Sequence, residues 1–345
     1  MKSFNFYILL ILSFSWSFGQ SCDAKLDEAR INYINGNFDD VVRLLSDCAG
    51  SLERDQDNLE AFELLINSLQ ISNQNEEADD LTRALLVYNP LYVAKQTALI
   101  PFKRILNSYE IRRKFGITFY AGVNSPQFQI MQYRSYGGIV EESNGYKPKS
   151  GLSTGLEFQY YINEKLSLGT GLVIQNSSFF QTETIMEFQQ LDVEENITYL
   201  KTPLLANLHL SRNNWDLVLS GGISIHHLIR DKANIEMYGL AKEFENPLTG
   251  ISRKAEGYDL DFQRQKNTLN YMGGITLRRK IGLYSLDFSA KYEHGLNNLV
   301  IESERYTNDE LIQTYSYVPD DFKMNNLQFV MGVSRFFVYP KKQQL

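Results

Sequence analysis

The chain has 345 residues, two cysteines, four histidines and a net charge of −7. Most of that charge is local: residues 21–100 hold fifteen acidic and six basic side chains, whereas 101–345 is nearly balanced, with 26 acidic and 27 basic. A net negative charge carried mostly by 21–100 argues against nucleic-acid binding.

At the start, Lys2 precedes an apolar run over 4–18, with Ser17 and Gly19 at small-residue cleavage positions. This reads as a secretory signal peptide over 1–20. No later run reaches the length of a transmembrane helix.

Residues 21–100 read as a small all-α, repeat-like domain, exported to the periplasm. Ala29, Tyr33, Val41, Val42, Leu44 and Leu45 recur at helical spacing, and a second unit carries Leu59, Leu64, Leu65, Leu69, Ala78, Leu81 and Leu85. Gly36 and Asn73 fall at the expected tight turns, and Asn89-Pro90 closes the second unit. The pattern resembles tetratricopeptide repeats, although the turns are 37 residues apart and only two units are visible. Both cysteines, Cys22 and Cys48, lie here. In an oxidising periplasm they are expected to form a disulfide; the competing reading makes Cys22 a lipidated N-terminus, with Ser21 before it. Residues 101–114 reverse the charge, with Lys103, Arg104, Arg112, Arg113 and Lys114 against Glu110. They are expected to form a basic linker helix, able to lie against phospholipid headgroups.

From 115 to 339 eight stretches alternate apolar and polar residues, near 115–123, 152–162, 165–176, 197–210, 215–226, 267–279, 284–293 and 326–338. The seventh is the clearest: Tyr284, Leu286, Phe288, Ala290 and Tyr292 against Ser285, Asp287, Ser289, Lys291 and Glu293. Period-two alternation gives a strand one apolar and one polar face. The links alternate too: short at 163–165, 211–214 and 280–282, long and polar at 124–150, 177–196, 229–266 and 294–325. Short periplasmic turns and long extracellular loops are the rhythm of an outer-membrane barrel. Aromatics gather in two belts: Tyr160, Tyr161, Trp215, Tyr284, Phe336, Phe337 and Tyr339 toward the short turns, and Phe179, Phe180, Tyr199, Tyr271 and Tyr292 toward the long links. The expected fold is therefore an eight-stranded antiparallel up-and-down transmembrane β-barrel, preceded by the helical domain and followed by a short tail at 340–345.

Eight strands enclose an interior that side chains can fill. The expected inward set includes Glu157, Lys201, His209, Arg278, Asp287, Lys291 and Glu293, and buried charges of both signs must pair. A crosslinked plug is expected rather than a pore. Catalysis is not expected, and no cofactor or metal site is read. Ser177, Ser178, Glu293 and His294 share a predicted height, the one constellation that could serve a lipid-modifying barrel. His226 is expected to face the lumen and His227 outward, which makes them a poor metal pair.

Tyr199-Leu200-Lys201-Thr202-Pro203-Leu204-Leu205, opening the fourth strand, resembles the Tyr-Leu-x-x-Pro-Leu-Leu signature of PorT-like outer-membrane β-barrel proteins of Bacteroidetes. Lys201 departs from a position often acidic in that family, so its lumen pairings do not carry over. The resemblance implies an accessory or scaffold role in an outer-membrane assembly of the type IX secretion kind, with a periplasmic or outer-membrane protein partner besides the bilayer. The alternative is a surface binding protein or adhesin acting through the long loops.

Overall fold

The computed structural model describes residues 20–49, 56–96, 98–134, 145–185, 189–239 and 253–343. Residues 1–19 and the side chains of Cys22 and Cys48 lie outside this description, and with them the signal-peptide and disulfide expectations. Two compact units result, one of Met1–Arg112 with Val338–Leu345 and one of Arg113–Phe337.

The first unit contains helices α1 (Gln20–Ile34), α2 (Phe38–Ala49), α3 (Gln56–Ile71), α4 (Asn75–Tyr88) and α5 (Ile100–Asn107). Gly36 turns the chain between α1 and α2 with φ +78°, and Asn73 does so between α3 and α4 with φ +61°. Left-handed backbone is cheap for glycine and tolerable for asparagine, which is why these residues punctuate the helices. Leu26, Ala29, Val41, Leu45, Phe62, Leu65, Ile66, Leu69, Ala78, Leu85 and Phe102 form one core. Asn67, buried within it, accepts the Phe102 amide at 3.1 Å and donates to the Glu63 carbonyl at 2.8 Å, tying the start of α5 to α3. The expected linker helix is shorter than 101–114. It ends at Asn107, and strand β1 (Tyr109–Gln132) begins two residues later. Tyr109 and Ile111, packed on the helical core, alternate with Glu110 and Arg112, a period of two that a helix cannot use.

The second unit is a ring of antiparallel strands. Beside β1 lie β2 (Gly145–Lys149), β3 (Gly151–Tyr161), β4 (Leu166–Ile185), β5 (Gln189–Arg212), β6 (Trp215–Gly239), β7 (Arg253–Asp259), β8 (Asn267–Ile281), β9 (Tyr284–Gly295) and β10 (Asp321–Lys342). Neighbours run β4-β3-β1-β10-β9-β8-β6-β5, and β5 pairs back onto β4, so the wall closes. The two short strands are additions, β2 on β4 and β7 on β6. Register follows the alternation: Leu156 opposes Leu172, Ile223 opposes Tyr271, and Leu286 opposes Val333, all exposed or half-exposed on the outside. Between them Ser153, Glu157, Gln159, Asp287 and Lys291 are buried inside.

Short turns close one end. Asn213 at φ +52° and Gly282 at φ +62° make two of them, and in the third the Asn163 carboxamide oxygen accepts the amides of Lys165 and Leu166 at 2.8 and 2.9 Å. At the other end the strands outrun the sequence reading. Much of the expected loop at 177–196 is hairpin, because β4 continues to Ile185 and β5 starts at Gln189. Ile185, Leu191, Val193, Ala233, Ile235 and Met237 still face inward there, where they pack with Leu260 and with Leu311, Tyr315 and Tyr317 in and beside helix α6 (Asp309–Tyr315). The long links thus build a cap with its own apolar core.

The belts need correction by parity. Tyr160, Trp215, Tyr284, Phe337, Tyr339, Tyr271 and Tyr292 are exposed, whereas Tyr161, Phe336, Phe179 and Tyr199 are buried inside. Adjacent residues on a strand cannot both face lipid.

Gly221 and Gly222 are neighbours with opposite tolerances. A methyl at Gly222 would overlap the Leu204 carbonyl oxygen on β5, whereas one at Gly221 meets nothing within 4 Å. Gly222→Ala is therefore expected to lower stability by about 1–3 kcal/mol, as overpacking does, and Gly221→Ala to change it little. Urea titration of the folded barrel, read by heat-dependent gel mobility in micelles, checks the pair; equal behaviour would contradict the close approach of β5 and β6.

Candidate functional site

The interior of the ring is a stack of ion pairs. Nearest the short turns, Asp216 at the start of β6 accepts from Arg113 at 3.1 Å and from Ser211 at 2.9 Å. Its third neighbour is His209, whose Nδ1 lies 3.3 Å from Asp216 and whose Nε2 lies 2.8 Å from Ser167 Oγ. Above it, Arg278 grips Asp287 through Nε and Nη2 at 2.8–3.1 Å and donates to the Tyr161 hydroxyl at 3.0 Å. Ser285 and Ser334 donate to the same carboxylate at 2.8 and 2.7 Å. Next, Lys291 pairs with Glu157 at 2.9 Å with its ammonium 4.5 Å from the centre of the Tyr120 ring. Then Lys201 on β5 reaches across to Glu293 on β9 at 2.6 Å and donates to Gln175 at 2.6 Å, with His226 3.6 Å from the same carboxylate.

The structure therefore brings together all seven lumen residues read from the sequence. Arg113–Asp216, Arg278–Asp287, Lys291–Glu157 and Lys201–Glu293 pair one cation with one acid at each level. A dry interior demands this, because an isolated charge there would lose its hydration without compensation. What space remains beside Glu157, Arg278 and Asp287 is a cavity of about 20 Å³, the scale of a single water.

A fifth cluster sits in the cap. Arg264, 1% exposed, donates to Glu195 at 2.7 Å and to Asp231 at 2.8 Å. Burial, then the neighbouring Glu195 carboxylate, pushes the Asp231 carboxyl well above its usual range.

Other sequence-read residues disperse. Lys103 donates to the Gln96 carbonyl and Arg112 pairs with Glu110. Arg113 turns inward instead of toward headgroups, its guanidinium 4.4 Å over the Phe336 ring, while Lys114 lies 5.5 Å over Phe115. Ser177 bonds to Gln175 and Asn124, and Ser178 to Asn176, so neither meets His294. His226 is buried, while His227 is exposed and bonded to Asn267 at 2.8 Å. His209 is legible as an inward residue, but its links to Ser167 and Asp216 are not, because the three lie on three strands. The linked trio has the connectivity of an acyl-transfer triad, but Ser167, His209 and Asp216 are 1%, 2% and 0% exposed, and Arg113 and Ser211 hold the carboxylate. In that setting it works as a hydrogen-bonded brace.

A closed strand ring with an apolar outside and a charge-paired inside defines an outer-membrane β-barrel protein. Residues 96–300 match the outer membrane protein β-barrel domain family, and the chain belongs to that family. Among solved structures it is similar to OprG from Pseudomonas aeruginosa, at 9% identity over 65% of this chain and 97% of that one, with a TM-score of 0.38. It is similar also to the outer membrane protease OmpT from Escherichia coli (11% identity, 65% and 97% covered, TM-score 0.37) and to the attachment invasion locus protein Ail of Yersinia pestis (10%, 64% and 99%, 0.27). Comparison with curated protein sequences finds no match.

The Lys201–Glu293 bridge makes the interior testable. Lys201→Met leaves Glu293 buried without its lysine, with the His226 ring at 3.6 Å, and is expected to cost about 3–5 kcal/mol of barrel stability. Adding Glu293→Leu should recover most of that loss, a coupling read from a double-mutant cycle of urea unfolding in micelles; strict additivity would mean the two groups do not interact.

Proposed function

We propose that this protein is an eight-stranded, non-enzymatic outer-membrane barrel that anchors a periplasmic helical interaction domain, residues 21–100, and serves as an accessory or scaffold component of an outer-membrane assembly or secretion complex of the type IX kind. The observation that carries the reading is the charge-paired lumen: with its ion pairs closed and a cavity of water size beside Glu157, Arg278 and Asp287, the barrel offers surfaces rather than a passage. The helical hairpins α1–α2 and α3–α4 supply one such surface, and helix pairs of this kind present concave faces to partners. The PorT-like stretch around Tyr199 and Pro203 supports the same direction. A Cys22–Cys48 bridge would tie the start of α1 to α2 in this domain; lipidation of Cys22 is the competing fate.

A second reading, surface binding through the long links, draws on the cap. Its packed core holds an outward recess of about 190 Å³ lined by Asp192, Glu194, Glu236, Lys254 and Glu256, shaped for a polar ligand rather than a lipid.

Affinity purification of a C-terminally tagged full chain from gently solubilised outer membranes is expected to return a stoichiometric partner that disappears when 21–100 is deleted. A partner retained by the deletion variant would transfer the function to the cap. In planar bilayers the purified protein is expected to show no large, stable conductance; an open channel would overturn the plugged lumen.

A further inference from the structure

Exposed cations lie over aromatic rings at the short-turn end of the barrel. Arg335 on β10 is exposed, with its guanidinium 5.5 Å from the centre of the Phe337 ring and 5.7 Å from that of Tyr284, its register partner on β9. Lys114 on β1 is exposed over Phe115. Arg279 repeats the arrangement on Trp215, its register partner on β6, at 5.7 Å. Among the described residues none of the three has a carboxylate partner. Along 212–219, 275–286 and 331–337 the one acid is Asp216, which is turned inward.

The rings beneath two of these cations do a second thing. Phe115 and Phe337 also wall an apolar groove of about 620 Å³ on the outside of the barrel, completed by Phe158, Tyr160, Leu168 and Leu204. All six are exposed in the isolated chain, on a face that the family places in lipid. Small Thr170, outward on β4 between Leu168 and Leu172, keeps the groove open.

We propose that this is a binding site for one anionic phospholipid, with the headgroup phosphate held at Arg335 and Lys114 and an acyl chain lying in the groove below. A guanidinium stacked on a ring keeps its N–H edge free, and that edge matches two oxygens of a phosphate. Each ring lends cation–π support and sits at the depth where aromatics meet the membrane interface. Charge selects the headgroup. An anionic headgroup complements the positive charge of Lys114, Arg279 and Arg335, whereas a zwitterionic one brings an ammonium that these cations repel. The proposal needs only the membrane setting of the barrel, and not the scaffold role.

Native mass spectrometry of the full chain in micelles, titrated with phosphatidylglycerol, phosphatidylcholine or inorganic phosphate, tests it. Phosphatidylglycerol is expected to be retained in preference to phosphatidylcholine, and Lys114→Gln with Arg335→Gln to weaken that retention by at least about tenfold. Thr170→Phe, which fills the groove and leaves both cations in place, should weaken it as well. Arg230→Gln with Lys232→Gln, exposed cations at the far end of β6, should not. Equal retention of the two lipids, equal loss in the far-end variant, or full displacement by inorganic phosphate would overturn the site. Heat-dependent mobility reports whether each variant is folded; should the double glutamine variant fail to fold, Thr170→Phe and the loss of wild-type retention in high salt decide.

Discussion

A wall of strands in hydrocarbon must find every backbone partner within itself, because lipid offers none. That constraint closes β5 onto β4, and the rest of the barrel follows from the closure. A closed wall has no edge and two faces, so the sequence alternates. The ring is narrow, so the inward polar residues meet one another rather than bulk water. Charges confined there must pair, and Arg113, Arg278, Lys291 and Lys201 each take one carboxylate. The same rule reaches the cap, where Arg264 meets two acids and one of them, Asp231, is driven toward its neutral form. Lumen and cap share the rule that a buried charge meets its opposite.

How much of this the chain announces depends on what lies outside each strand. Where the outer face meets lipid, every second residue is large and apolar, and strands such as Tyr284–Gly295 are legible from composition alone. Beyond the membrane the outer face meets water and the contrast fades. Thus Gln181, Glu183 and Thr184 look like loop although β4 runs through them to Ile185. Parity was legible at His226 and His227 but not within the belts, where Tyr161 and Phe336 turned inward to flank Arg278 and Arg113. The membership of the lumen could be read, because inwardness is a property of one strand. Its pairings could not, because Lys201 meets Glu293 across 92 residues and through the register of the whole ring. That Ser167, His209 and Asp216 form one chain is hidden for the same reason, although His209 is legible as an inward residue.

Pro203 shows how the wall tolerates a residue that cannot donate. On its β6 side the ladder runs unbroken from Tyr199 to Arg212, after a register shift at Thr198/Tyr199, and opposes Pro203 to Ser224. On its β4 side the pairing passes from Thr170–Leu204 to Val173–Lys201, skipping Gly171 and Leu172 opposite Pro203 and Thr202. Proline removes a donor instead of leaving one unpaired, so the interruption spares the wall an orphaned amide. Glycines stand on both flanks. A methyl at Gly171 would overlap the Leu156 carbonyl oxygen on β3, and one at Gly222 the Leu204 carbonyl oxygen on β5. The chain thus draws β4 toward β3 and β6 toward β5 around the one place where β4 and β5 are not bonded. Thr170 and Leu204, the pair next to that gap, are both groove residues. The depression in the lipid-facing surface therefore begins where a proline relaxes the ladder, so a backbone necessity in the wall becomes a shape that a lipid chain can occupy.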